Sequence, residues 1–184
     1  MSSFSSPIML SMVNHTAVQY PLRYSLDAPA DGTALTLRQV LEQDIFITPS
    51  GYMGTSRPHY ADHRREAFRQ DFVLEFDDAC RVLATAKKVK VPTLGSYGLK
   101  HVAERLVGNY VSNGALICAA IALGFTVDDR GSKEWPNALI GVSRMSLREW
   151  DAYGLHKTRS PRRDYMPRGE RPAGWDFEGG RTND

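Results

Sequence analysis

The densest group of chemistry-bearing residues is a run of cations near the C-terminus. Residues 156–171 hold Lys157, Arg159, Arg162, Arg163, Arg168 and Arg171 against Asp164 and Glu170 alone. Such a run attracts phosphates, and Tyr165 within it offers a ring on which a base can stack. An acidic protein surface would suit the same charges, and a basic terminus that serves only solubility has the same composition. A second basic group, Arg64, Arg65 and Arg69, lies on a predicted helix that starts near Tyr60.

His59 and His63 stand four apart, with Glu66 three further on and Asp62 between. On a helix these side chains share one face, as metal ligands do. No cysteine or further histidine stands at an informative spacing, and Arg64 and Arg65 crowd the same turn. A solvated polar helix start is therefore expected here, with His59 and His63 as weak metal candidates. The neighbouring loop Ser50–Pro58 carries Tyr52, Met53 and Arg57. An enzyme of this sequence would build its site around Ser50–His63, drawing on His101, Tyr110 and Asn113. There is no G-x-S-x-G, P-loop, dinucleotide-binding glycine pattern or cysteine in a motif context. A non-enzymatic protein without cofactor is the expectation. Tyr110 then reads as a packed loop anchor, Asn113 as a helix cap and His101 as surface. Trp135 is an interface anchor or a cover for a helix end, and Trp150 and Trp175 lie near surface elements.

The elements that position these residues follow from apolar spacing. Thr36 caps a short helix through Asp44 that buries Leu37, Val40 and Leu41, and Ile45–Thr48 then reads as extended. Phe68, Phe72, Phe76, Ala79, Leu83 and Ala86 recur every three or four residues, which predicts one long amphipathic helix over Tyr60–Val89, or two broken near Gln70. Ser96 caps a helix from Tyr97 to Val107 with Lys100, His101, Glu104 and Arg105 on its wet face, and Gly108 stops it. The loop 109–113 offers two caps for an apolar helix, Gly114–Leu123. Phe125–Val127 and Ala138–Val142 predict a β-hairpin around the turn Asp128–Ser132, and Ser146 with Glu149 forms a capping box for a last short helix through Tyr153.

The fold class expected is mainly α (α+β), a compact helical domain whose helix–turn–helix pair and following β-hairpin come in winged-helix-like order. Residues 1–32 form an N-terminal extended segment with short strands, 33–154 the helical domain, and 155–184 a flexible basic tail. That order of elements suggests a DNA reader, but the residues oppose the simplest form of it. A recognition helix offers Arg, Lys, Asn, Gln or Ser to base edges. Ala115 to Leu123 offers none of these, and a helix apolar on every side is a core helix.

Charge and length bound the rest. The 184 residues carry 23 Lys and Arg against 21 Asp and Glu, and outside the tail the two signs nearly balance. The longest apolar run, Ala115–Leu123, is far below the roughly 20 residues that span a bilayer, and no basic residue precedes the short apolar run at the N-terminus. No membrane partner is expected. Cys80 and Cys118 sit in apolar helical stretches, as buried reduced thiols do, and favour a cytoplasmic setting. The first expectation is an accessory or regulatory protein engaging nucleic acid through the basic arm and the Arg64–Arg69 helix. The alternative is a protein-interaction module, an inhibitor or assembly subunit, with Trp and Tyr anchors and a tail that folds on its partner, an acidic surface or a second copy.

Overall fold

The structure, a computed structural model, describes residues 25–131 and 133–157. The strands expected before residue 25, Trp175, and Arg159, Arg162, Arg163, Arg168 and Arg171 lie outside the described residues. Those described form six helices and two small antiparallel sheets, so the expected class of helices with a little sheet holds.

Helix α1 (Leu37–Gln43) begins at a reciprocal cap: the Thr36 hydroxyl accepts from Gln39 N–H and the Gln39 side chain accepts from Thr36 N–H. Its stripe Leu37, Val40 and Leu41 is fully buried. Strands β1 (Ile47–Thr48) and β2 (Gly51–Tyr52) make a tight hairpin, closed by Thr48 Oγ1 donating to Gly51 O at 3.0 Å. The long stripe after Tyr60 is two helices, α2 (Tyr60–Glu66) and α3 (Gln70–Leu83), parted by a turn at Ala67–Arg69. Then come β3 (Leu94–Gly95), α4 (Ser96–Val107), α5 (Asn113–Ala122), β4 (Val127–Asp128), β5 (Leu139–Ile140) and α6 (Arg144–Lys157). The second sheet has the order β3-β5-β4.

Helix α5 is the centre of the molecule. Leu116, Ile117, Cys118, Ala119, Ala120 and Ala122 are all solvent-free. Helices α1, α3 and α4 and the β1–β2 hairpin surround it. Its small residues set the distance of approach. A Cβ on Gly114 would lie 1.9 Å from the Thr48 carbonyl oxygen, and Gly114 N–H donates to Pro49 O at 2.9 Å. Gly51, at φ +110°, lets the hairpin turn against Pro136 O. Ser112 caps the helix by accepting from Ala115 N–H, and Gly108 ends α4 in the left-handed region, as the spacing predicts.

Several expectations need correction. Ser96 does not cap α4: it is the helix's first residue, buried, and its hydroxyl accepts from Ala138 N–H, tying α4 to the sheet. Ser146 is not a cap either, because α6 starts two residues earlier and the Ser146 hydroxyl accepts from Lys87 N–H across the molecule. Trp150 is buried, its indole N–H donating to Thr85 Oγ1 at 3.0 Å. Lys100, assigned by spacing to the wet face, is only 6% exposed. Strands β2 and β3 had no counterpart in the sequence pattern, since two residues cannot display an alternation.

Candidate functional site

The polar residues of the α4–α5 connection converge on its backbone. Lys100 Nζ pairs with Glu104 Oε1 at 2.8 Å and donates to Val111 O at 3.3 Å. Glu104 Oε1 also accepts from Val111 N–H, and its Oε2 lies 2.7 Å from His101 Nδ1. From α3, Glu75 accepts from Ser112 N–H at 3.1 Å and Asp78 from the Asn109 amide at 3.1 Å. Burial raises the Glu75 carboxyl above its ordinary range, and the Ser112 bonds reduce that shift. Glu104 feels the same burial, but hydrogen bonds from Lys100, His101 and Val111 outweigh it and hold its carboxyl below the usual range. Tyr97 and Tyr110 flank the ammonium, with ring centres 5.6 and 4.8 Å from Lys100 Nζ. Both tyrosines are more than half exposed, so Tyr110 is a surface ring and not the packed anchor its position suggests.

A second convergence holds the β4–β5 loop. Lys133 Nζ lies 2.8 Å from Asp44 Oδ2 and 2.7 Å from Asp129 Oδ2, with the Tyr52 ring centre 4.1 Å away. Arg57 pairs with Glu134 at 3.1 Å and donates to its carbonyl. Pro136 O accepts from Tyr52 N–H and from the Asn113 amide, which also donates to Ser50 O and Asn137 Oδ1. Asn113 is thus a buried bracket between hairpin and loop, and Ser112 alone is the cap. Burial and Asp44 raise the Tyr52 hydroxyl, and burial raises both Cys80 and Cys118 above the ordinary thiol range. At neutral pH neither thiol supplies a thiolate nucleophile.

The named cations separate by environment. Arg64 is half-buried: its guanidinium donates to Leu41 O and Ile47 O and lies 5.1 Å from the Phe68 ring centre, fastening α2 to α1 and β1. Arg65 is exposed and pairs with Asp62. Arg69 is exposed ahead of α3. Lys157 closes α6. His59 and His63 face Asp62 and Glu66 at 3.8 and 3.7 Å, and no group of three or more metal-ligating side chains forms among the described residues. Trp135 is 67% exposed at the tip of the clamped loop.

The structure assembles one cationic strip that spacing did not reveal. The segment 87–89 runs antiparallel to 141–143: Val89 N–H donates to Gly141 O, Lys88 bridges Val142 and Ser143 N–H donates to Lys87 O. These segments carry Lys87, Lys88 and Lys90 on one side and Arg144 and Arg148, at the start of α6, on the other. All five are exposed, and among the described residues none forms an ion pair. Lys88 alone is partly engaged, donating to Leu123 O beside the Phe125 ring. One signal was available in the sequence. Residues 79–103 and 135–148 contain no Asp or Glu. Two such intervals, far apart in the chain, become adjacent only through the sheet.

The chain matches no protein-family model, and no curated protein or solved structure is significantly similar to it. No helix among the described residues is long and apolar enough to cross a membrane.

Proposed function

We propose that the protein is a non-enzymatic accessory or regulatory factor that engages nucleic acid through its phosphates. The contact runs along Lys87, Lys88, Lys90, Arg144 and Arg148 and continues through α6 into the arginine-rich arm. The observation that carries this reading is the contrast in pairing. Arg38, Arg57, Arg65, Arg81, Lys100, Arg105 and Lys133 all have a carboxylate partner, whereas the five cations of the strip have none among the described residues. Exposed cations free of counter-charges are what phosphates displace counter-ions to reach. The order α3, β3, α4, α5, β4, β5 with the sheet order β3-β5-β4 resembles that of winged helix-turn-helix domains, and adds support. In this chain the helix that would read bases, α5, is enclosed by α1 and the β1–β2 hairpin. Recognition therefore falls to backbone charge, without base readout.

The test is fluorescence anisotropy of the full chain on labelled duplexes of unrelated sequence over a salt series. The expected result is similar affinity for each duplex and a steep loss with salt. Replacing Lys87, Lys90, Arg144 and Arg148 together by Glu should flatten the salt slope by about 3 to 4 units. An unchanged slope would overturn the reading.

A protein-interaction role has one specific observation behind it, Trp135. It stands exposed on a loop already fixed by Lys133, Arg57 and two bonds to Pro136 O, and a preorganised aromatic is the usual kind of interface anchor. Light scattering on intact chain and on Trp135→Ala, both nuclease-treated, distinguishes this: a complex or oligomer lost in the variant favours it.

A further inference from the structure

We propose that the surface formed by α3 and the α4–α5 turn receives an arginine-rich segment, and that its occupant is the chain's own residues 158–171. The surface is acidic and aromatic together. Exposed Asp71 and partly exposed Glu75 on α3 and Glu104 on α4 share this surface with Leu74, Tyr97 and Tyr110, which are 43%, 54% and 57% exposed, while Asp78 is buried against Arg81 and the Asn109 amide. Of the cations there, Lys100 is buried between the tyrosines and held by Glu104 and Val111 O, and Arg81 is held by Asp77 and Asp78. His101 stands edge-on to Tyr97, their ring centres 4.7 Å apart. Arginine fits such a surface because its flat cation stacks on aromatic rings while donating to carboxylates.

Charge and chain length select the occupant. Residues 158–171 carry Arg159, Arg162, Arg163, Arg168 and Arg171 against Asp164 and Glu170. They emerge from α6, which Arg105 and Asp151, 2.9 Å apart, fasten to the last turn of α4, one residue from Glu104. From Asp151 to Lys157 the helix advances only about 9 Å, and fourteen extended residues reach roughly 45 Å, so the surface lies well within range. The cationic strip repels this segment and the α3–α4 surface attracts it. In the absence of a polyanion the segment therefore settles on the acidic side. The consequence, that nucleic acid draws the arm off that surface, rests on the function proposed above; the docking itself does not.

The experiment uses the full chain, isotopically labelled, with Ser160→Cys carrying a nitroxide; the native thiols Cys80 and Cys118 are buried and stay unlabelled. At low ionic strength paramagnetic broadening should appear at Leu74, Tyr97, His101 and Tyr110 and vanish in concentrated salt. In the Tyr97→Ser/Tyr110→Ser background, at two exposed positions, it should be lost. Absence of broadening, or broadening indifferent to those two changes, overturns the proposal. So does broadening seen only when a nitroxide-bearing copy is mixed with an isotopically labelled copy lacking the nitroxide, since the occupant is then a second chain. An added duplex should abolish the broadening. If the broadening stands at low salt while no duplex binds, arm docking is upheld and the nucleic-acid reading fails.

Discussion

The α4–α5 turn and the Lys87–Arg148 strip are both rich in charged residues and lie on the same small molecule, yet they use charge in opposite ways. Around the turn each cation has a carboxylate and the loop's polar backbone groups meet side chains: Lys100 with Glu104, Val111 N–H with Glu104, Val111 O with Lys100, Ser112 N–H with Glu75. On the strip the backbone is paired with itself, strand to strand, and the side chains other than Lys88 are left over. Charge in the first region is largely satisfied within the helix pair, with Asp71 left exposed at its edge, and charge in the second has no ion-pair partner among the described residues. Substitutions in the turn should therefore move stability, and those on the strip should move binding.

The sharpest break is expected where the turn meets the hairpin. Gly114→Ala places a Cβ 1.9 Å from a backbone oxygen that the β1–β2 hairpin cannot withdraw without losing the Pro49 bond. Despite the better helix propensity of alanine, a loss of roughly 4 kcal/mol is expected, read by urea unfolding. Lys100→Met should cost about 2 kcal/mol, because it leaves partly buried Glu104 with two of its three partners, His101 and Val111 N–H, and leaves Val111 O without its donor. Neither change should alter the salt slope of duplex binding in the fraction that folds.

The charge reversal on the strip reverses those expectations. Lys87→Glu, Lys90→Glu, Arg144→Glu and Arg148→Glu together should weaken duplex binding about a hundredfold near physiological salt. The unfolding midpoint should stay almost where it was, since these side chains make no ion pair among the described residues. A large drop in stability would mean that the strip is structural after all and would erase the contrast between the two regions.

How much of this contrast could be read from the sequence depends on the range over which its causes act. Thr36, Ser112 and Gly108 act within one turn of chain, and their caps were legible. The apolar face of α3 and the all-round burial of α5 were legible from spacing. Lys100 was misread because its position on α4 is wet by periodicity, and only the return of Tyr110 and Val111 over it buries it. Ser96 and Ser146 were misread as caps because their true partners, Ala138 and Lys87, are 42 and 59 residues away. The strip was missed for the same reason. Arg64, by contrast, stands out in the local sequence, yet the fold uses it to bind two carbonyls.

pH gives a finer separation. The Glu104 carboxyl is held below its unfolded range, so its contribution is present above that range and lost as pH falls through the folded value. Asp129, held down chiefly by its hydrogen bond from Lys133, behaves alike. Glu75 has the opposite sign. Burial raises it, so its ionisation costs stability as pH rises from the ordinary glutamate range through its folded value. Glu104→Gln should thus flatten the acid limb of a stability curve, and Glu75→Gln should raise the neutral plateau relative to the acid limb.

The smallest effect is also the most discriminating. Arg148→Gln removes one exposed, unpaired cation on the first turns of α6, and should change stability by no more than about 0.5 kcal/mol. Its effect on duplex binding should be a reduction of the salt slope by about one unit, equal for every duplex sequence. Arg105→Gln, on the neighbouring helix, provides the matched control, because Arg105 already pairs with Asp151. If both changes reduce the slope alike, pairing with a carboxylate does not decide which cations meet phosphate. A reduction in Arg148→Gln alone locates the contact on the unpaired side.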